Sequence, residues 1–209
     1  MKLAEVLGQL DAQMVGKTRV MMGPLRALGK AIKTDHDLAL GLWETGRTDA
    51  RLLATMAMAP DRLTAAEAES LLASTDDVQI LDELTYKVIA ESPSADELCR
   101  KWLASDRDLT GRAGWNLLVA RLMAKTLATG ECAEILATID AGGKAAPVKK
   151  AESMMRCLVE IGVRFPEHRE RAIEIGTRWG LIDDRPVPKG CTPFYAPAWI
   201  AAVLKNKKA

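Results

Sequence analysis

The side chains able to do chemistry in this 209-residue chain are mostly cations. Arg112 stands at the start of a long apolar stretch. A planar guanidinium grips phosphate through parallel hydrogen bonds, so Arg112 reads either as a phosphate clamp or as a buried cation paired with Asp82, Asp106 or Asp108. Arg47 and Arg51 are four residues apart, one helical turn, and suit a solvated helix face or a nucleic-acid backbone. Lys149, Lys150 and Arg156 open a basic C-terminal region, where a helix start with lysines beside it can hold a phosphate. Asp82, Glu83 and Asp106 are the carboxylates that acid–base chemistry would draw on, though no supporting motif surrounds them.

Other chemistries find no residues. Cys99, Cys132, Cys157 and Cys191 are at least 25 positions apart, and the two histidines, His36 and His168, are distant from each other. No zinc site is expected from such spacing. Four scattered thiols fit reduced core residues of a cytoplasmic protein. There is no glycine-rich phosphate loop and no nucleophile elbow, and no cofactor is implied. The histidines are expected at solvent-facing helix starts. Trp43, Trp102, Trp115, Trp179 and Trp199 are expected in the core, as are the Met21–Met22 and Met154–Met155 pairs.

Charge is unevenly spread. Residues 1–33 carry 6 basic and 2 acidic side chains, residues 34–143 carry 10 and 19, and residues 144–209 carry 13 and 7, for a net +1. No whole-molecule field draws in nucleic acid, but basic ends around an acidic middle can fold into one basic face. Charges follow Met1 too closely for a secretory core. The longest uncharged run, Gly190 to Leu204, has 15 residues and two prolines, short of the roughly 20 a bilayer needs. No membrane partner is expected.

The elements that must position these residues read as helices. Apolar residues recur at three and four along most of the chain, and alternation at period two is nearly absent. Expected helices run over Lys2–Met14, Pro24–Lys33, and from a cap at Thr34 or Asp35 to Gly46. A fourth is capped by Thr48 and closed by Pro60. Thr64 with Glu67 spells a capping box, and Asp76 or Asp77 opens a helix containing Asp82. Further helices are expected from Ser94, over Leu109–Leu127, Pro147–Arg164, Pro166–Trp179 and Ala198–Lys205. An irregular tail is expected over Leu181–Pro197, and Ala141–Ala146 is the clearest break. About eleven helices in antiparallel pairs, recurring at roughly 30 to 40 residues, suggest repeats stacked into a solenoid. The expectation is one all-α domain over residues 1–209.

Four segments carry a family resemblance. "DHDLALGLWETGRTDARLLATMAMAP" (Asp35–Pro60) has a helix ending in Leu-Trp, a glycine turn, and a helix opening with an acidic residue, Ala and Arg. "KWLASDRDLTGRAGWNLLVARL" (Lys101–Leu122), "CLVEIGVRFPEHRERAIEIGTRWGLI" (Cys157–Ile182) and "GCTPFYAPAWI" (Gly190–Ile200) follow in order. Together they resemble the DNA alkylation repair family, the AlkD-like proteins, over roughly residues 20 to 205. The resemblance implies an α-α superhelix of HEAT-like repeats that binds duplex DNA in a concave basic groove and releases alkylated bases. It implies a Trp-Asp-x-x-Asp segment whose second Asp supports positive charge developing at the sugar, a following Arg, and a later aromatic. Here that segment aligns with Leu81-Asp82-Glu83-Leu84-Thr85. Asp82 and Arg112 match, but Leu81, Thr85 and Met154 replace the functional Trp, Asp and aromatic.

The reading that follows is a DNA repair-like protein gripping duplex DNA through Arg47, Arg51, Arg112, Lys149, Lys150 and Arg156, with the glycosylase residues replaced. The alternative is a catalytically inactive helical-repeat scaffold that binds a protein or peptide partner. A third reading takes the missing carboxylate from Asp82 or Glu83.

Overall fold

A computed structural model describes residues 1–14, 16, 21–182, 187 and 191–206. Among them are twelve α-helices and no strand: α1 (Leu3–Met14), α2 (Met22–Ile32), α3 (His36–Glu44), α4 (Thr48–Ala57), α5 (Ala65–Ala73), α6 (Val78–Lys87), α7 (Ala95–Leu103), α8 (Asp108–Met123), α9 (Thr129–Gly142), α10 (Val148–Arg164), α11 (Arg169–Trp179) and α12 (Ala196–Asn206). The all-α expectation holds. The helix not expected from sequence is α9.

Side-chain caps start α3, α5 and α6. Asp35 accepts from the Leu38 amide at 3.1 Å and starts α3. Asp77 accepts from the amides of Gln79 and Ile80 and starts α6. The Thr64–Glu67 capping box closes in both directions. Such caps satisfy amides that a helix start otherwise leaves bare. Thr48 is the first residue of α4 and not its cap; Arg47 precedes it without a capping bond. A short 3-10 turn at Pro166–His168 delays α11 to Arg169. Part of the expected irregular tail, and Gly190 of the fourth family-like segment, lie outside the described residues.

The chain divides into two compact units, Met1–Asp96 and Glu97–Ala209. In the first, α4 is the hub. It packs against α1, α2, α3 and α6, burying Ala50, Leu52, Leu53, Ala54 and Ala57. In the second, α10 is the hub, lying along α8 and meeting α9, α11 and α12. Residues Gly111 to Val119 of α8 are all buried, as its near-continuous apolar character requires. Gly114 lets α8 cross the end of α7 at backbone contact: a Cβ there would lie 2.5 Å from the Leu103 nitrogen.

Several expectations about single residues change. His36 is buried, its Nδ1 accepting from the Ala59 amide at 3.3 Å, which ties the start of α3 to the chain leaving α4. Met21 is exposed. Trp43, Trp102, Trp115 and Trp179 are buried, while Trp199 is half-buried with its ring edge-on to Phe194. Cys99, Cys132 and Cys157 are buried free thiols, and Cys191 is exposed. Burial pushes the Cys157 and Cys132 thiols up from their ordinary values, which keeps both protonated and unreactive at neutral pH. No described helix is long and apolar enough to cross a membrane.

Candidate nucleic-acid interface

Arg47 and Arg51 belong to the first unit and flank the start of α4. Gly46, in the left-handed region at φ 71°, turns the chain out of α3. Arg47 then folds back on Asp49, with Nε donating to Oδ1 at 3.1 Å and Nη2 to Oδ2 at 2.8 Å, and it reaches Asp11 of α1 at 2.7 Å. Burial raises the Asp49 carboxyl, but the Arg47 hydrogen bonds and the Ala50 amide outweigh it and hold the group below the usual carboxylate value. Arg47 is thus a neutralised cation that clamps α1 to α4.

Arg51 is held differently. Its guanidinium carbon lies 5.2 Å from the centre of the Trp43 ring, within cation–π range. Nε donates to the Trp43 carbonyl at 3.2 Å and Nη1 to the Ser74 carbonyl at 2.9 Å. Trp43 is fixed in turn, its indole N–H donating to the Ser74 hydroxyl at 2.9 Å. All these partners are uncharged, and Arg51 has no carboxylate partner among the described residues. Its position is fixed and its charge is kept.

In the second unit, the polar residues of α8 and α10 form a buried seam. Arg112 donates through Nη1 to Glu152 at 2.7 Å and to the Lys149 carbonyl at 3.0 Å. Glu152, 40 positions away, is a partner that the sequence did not suggest for this guanidinium. Asp108 serves another end, accepting from the Lys150 amide at 2.7 Å at the start of α10. Farther along, the Ser153 hydroxyl donates to Asn116 at 2.7 Å. Arg112, Asn116, Glu152 and Ser153 are all buried. Lys149 stands 3.5 Å from Glu152. The Lys150 stem lies against Gly111, and its ammonium donates to the Ser105 carbonyl at 2.7 Å. Lys150, like Arg51, is held by a carbonyl and keeps its charge. Arg156 follows one turn after Glu152 and is half-buried.

The positions aligned with glycosylase chemistry face inward. Leu81 and Thr85 are 0% exposed and Met154 is 3%. The Thr85 hydroxyl donates to the Leu81 carbonyl at 2.7 Å. Asp82 and Glu83 are half-buried on α6, and Asp106 is exposed in the second unit. The sequence reading missed Glu152 and Asp49, two acids that offset the charge of an arginine by pairing with it. Their signal was present: Glu152 interrupts an otherwise basic stretch, and Asp49 sits two residues from Arg47.

No curated protein matches the sequence. A solved structure aligns over 99% of this chain and 95% of its own, with a TM-score of 0.80 at 19% sequence identity. That protein is described as one of a new family related to the HEAT-like repeat DNA glycosylases, with affinity for branched DNA structures. The likeness fixes an all-α, HEAT-like helical fold. The family described as DNA alkylation repair enzyme matches residues 16–177, well over half of the chain, and this protein belongs to that family.

Proposed function

We propose that this protein binds DNA through the sugar-phosphate backbone and does not release alkylated bases through the family's aligned positions. The carrying observation is the contrast among its arginines and lysines. Arg51 and Lys150 are immobilised by carbonyl oxygens yet keep their charge, while Arg47 and Arg112 are neutralised by Asp49 and Glu152. A fixed cation meets a phosphate with little further loss of side-chain entropy. Lys149 and Arg156 stand on α10 with Lys150, whereas Arg47 and Arg112 chiefly hold the fold. The related solved protein's affinity for branched DNA makes junctions a substrate to compare with linear duplex.

Catalysis fails on access as well as on charge. A carboxylate acting on a sugar must reach it, and the side chain at position 85 is enclosed by core residues. The test uses fluorescence anisotropy with linear duplex and a four-way junction across a salt series, alongside base release from methylated duplex. Micromolar binding that weakens steeply with salt is expected, as counterion release requires, with no 7-methylguanine or 3-methyladenine released. Arg51→Gln should weaken binding without altering sequence preference. Salt-independent binding, or none at low salt, would overturn the DNA reading and favour the scaffold alternative. Base release abolished by Asp82→Asn or Glu83→Gln would restore catalysis.

A further inference from the structure

Helix α2 carries Arg26, Lys30 and, at its C-cap, Lys33, and it contains no acidic residue. All three side chains are exposed, and none makes an ion pair or side-chain hydrogen bond among the described residues. The acids that follow in sequence are already engaged: Asp35 caps α3, and Asp37 pairs with Arg62 at 2.9 Å. The opposite side of α2 is locked down. Leu25, Leu28 and Gly29 are buried, and a Cβ on Gly29 would meet the Met56 Cβ of α4 at 3.1 Å. Arg26 and Lys30 are about 6 Å apart along the axis, and the three cations span about 10 Å. That is roughly three base-pair steps along one DNA strand.

Lys33 adds an independent observation. Its backbone, φ 63° and ψ −157°, lies in a region essentially reserved for glycine. The same conformation recurs at the C-cap of α11, where φ is 72° and ψ −152°, and there the residue is Gly180. Both amides donate back four residues, to the carbonyls of Gly29 and Gly176. The fold thus shows which residue suits this cap, and α2 carries a lysine instead. Among the described residues no hydrogen bond or ion pair holds that lysine's side chain, so no polar contact within the fold explains it.

We propose that Arg26, Lys30 and Lys33 form a phosphate-contacting stripe for one strand of bound DNA, with Lys33 keeping its charge at the expense of a strained cap. This rests on the DNA-binding reading above and extends it to a surface which that reading does not use. An anionic membrane fits less well, because Leu25 and Leu28 of α2 are buried and its exposed apolar residues, Ala27 and Ala31, are small.

The experiment measures stability and DNA binding on the full chain. Lys33→Gly should raise Tm by a few degrees, since glycine relieves the strain, while weakening duplex binding about 3- to 10-fold near 100 mM salt. The slope of log affinity against log salt should become shallower by about 0.9, one phosphate contact. The double variant Arg26→Gln/Lys30→Gln should leave Tm nearly unchanged and reduce the slope by about 1.8. A lowered Tm for Lys33→Gly would mean the lysine serves the helix end, and would overturn the proposal. So would unchanged slopes in both variants while the parent binds DNA, an outcome that leaves the broader reading standing. Failure of the parent protein to bind any DNA overturns both. Loss of binding to phosphatidylserine vesicles, with DNA binding intact, would reassign the stripe to a membrane surface.

Discussion

Thr85 offers only a hydroxyl, and that hydroxyl is committed to the Leu81 carbonyl at 2.7 Å in a fully enclosed site. Restoring the family's carboxylate there would put a charge in an enclosed site, and an uncompensated buried charge costs about 3 to 5 kcal/mol. Thr85→Asp is therefore expected to lower Tm by roughly 10 °C and to release no alkylated base from methylated duplex; turnover in a stable variant would show the side chain reaching substrate. Asp49 gives the opposite case, a carboxylate the fold wants charged. Its folded-state value is depressed, so its contribution to stability is fully present above the ordinary carboxylate range and is lost as pH falls through the depressed value. Urea unfolding from pH 7 to pH 3 should show Asp49→Asn less stable than the parent at pH 7, with the gap narrowing toward pH 3. A gap independent of pH would remove the Arg47 pair from the account.

At the scale of elements, the seam between α8 and α10 is where partners distant in sequence meet. Glu152→Gln would remove the carboxylate that bonds the buried Arg112 guanidinium at 2.7 Å, and removing one partner of such a pair costs about 3 to 5 kcal/mol. Replacing both, as Arg112→Met with Glu152→Leu, should cost much less, because two desolvated charges leave together. A denaturation double-mutant cycle checks this; additive losses would mean the pair is not coupled. The same seam marks what the sequence could and could not disclose. Asp77 and the Thr64–Glu67 box were legible because a cap and its target lie within three residues. The Arg112–Glu152 pair was not, because nothing local specifies a partner 40 positions away. Helix α9 was missed for another reason: its buried residues Cys132, Leu136 and Ile139 form a narrow stripe between Gly130 and Gly142, which look like loop punctuation. His36 looked like a solvent-facing residue at a helix start, yet it is buried where the chain returns at Ala59. Of the site, the cations were visible in sequence, but which of them have their charge offset by a carboxylate depends on acids brought in by folding.

For the whole molecule, the two units differ in sign. Residues 1–96 carry 10 basic and 15 acidic side chains, a net −5, and residues 97–209 carry 19 and 13, a net +6. A chain whose halves oppose each other and whose total is near zero has little net repulsion to keep copies apart. At low ionic strength, dynamic light scattering should report association at neutral pH that disperses near 150 mM salt, where the Debye length falls to about 8 Å. A hydrodynamic radius unchanged between 10 and 150 mM salt would contradict this. The same asymmetry places the α2 stripe as a basic strip within an acidic half.

The guanidinium of Arg51 over the Trp43 ring also makes a reporter. An excited indole has a large dipole, so its emission energy responds to a charge fixed 5.2 Å away. A phosphate arriving at Arg51 would offset that charge, and the colour and intensity of Trp43 fluorescence would change. The other four tryptophans show no such cation–π contact among the described residues and would supply a steady background. DNA occupancy at this site should therefore be readable from the unlabelled protein, and Arg51→Gln should silence the signal while leaving the background emission in place.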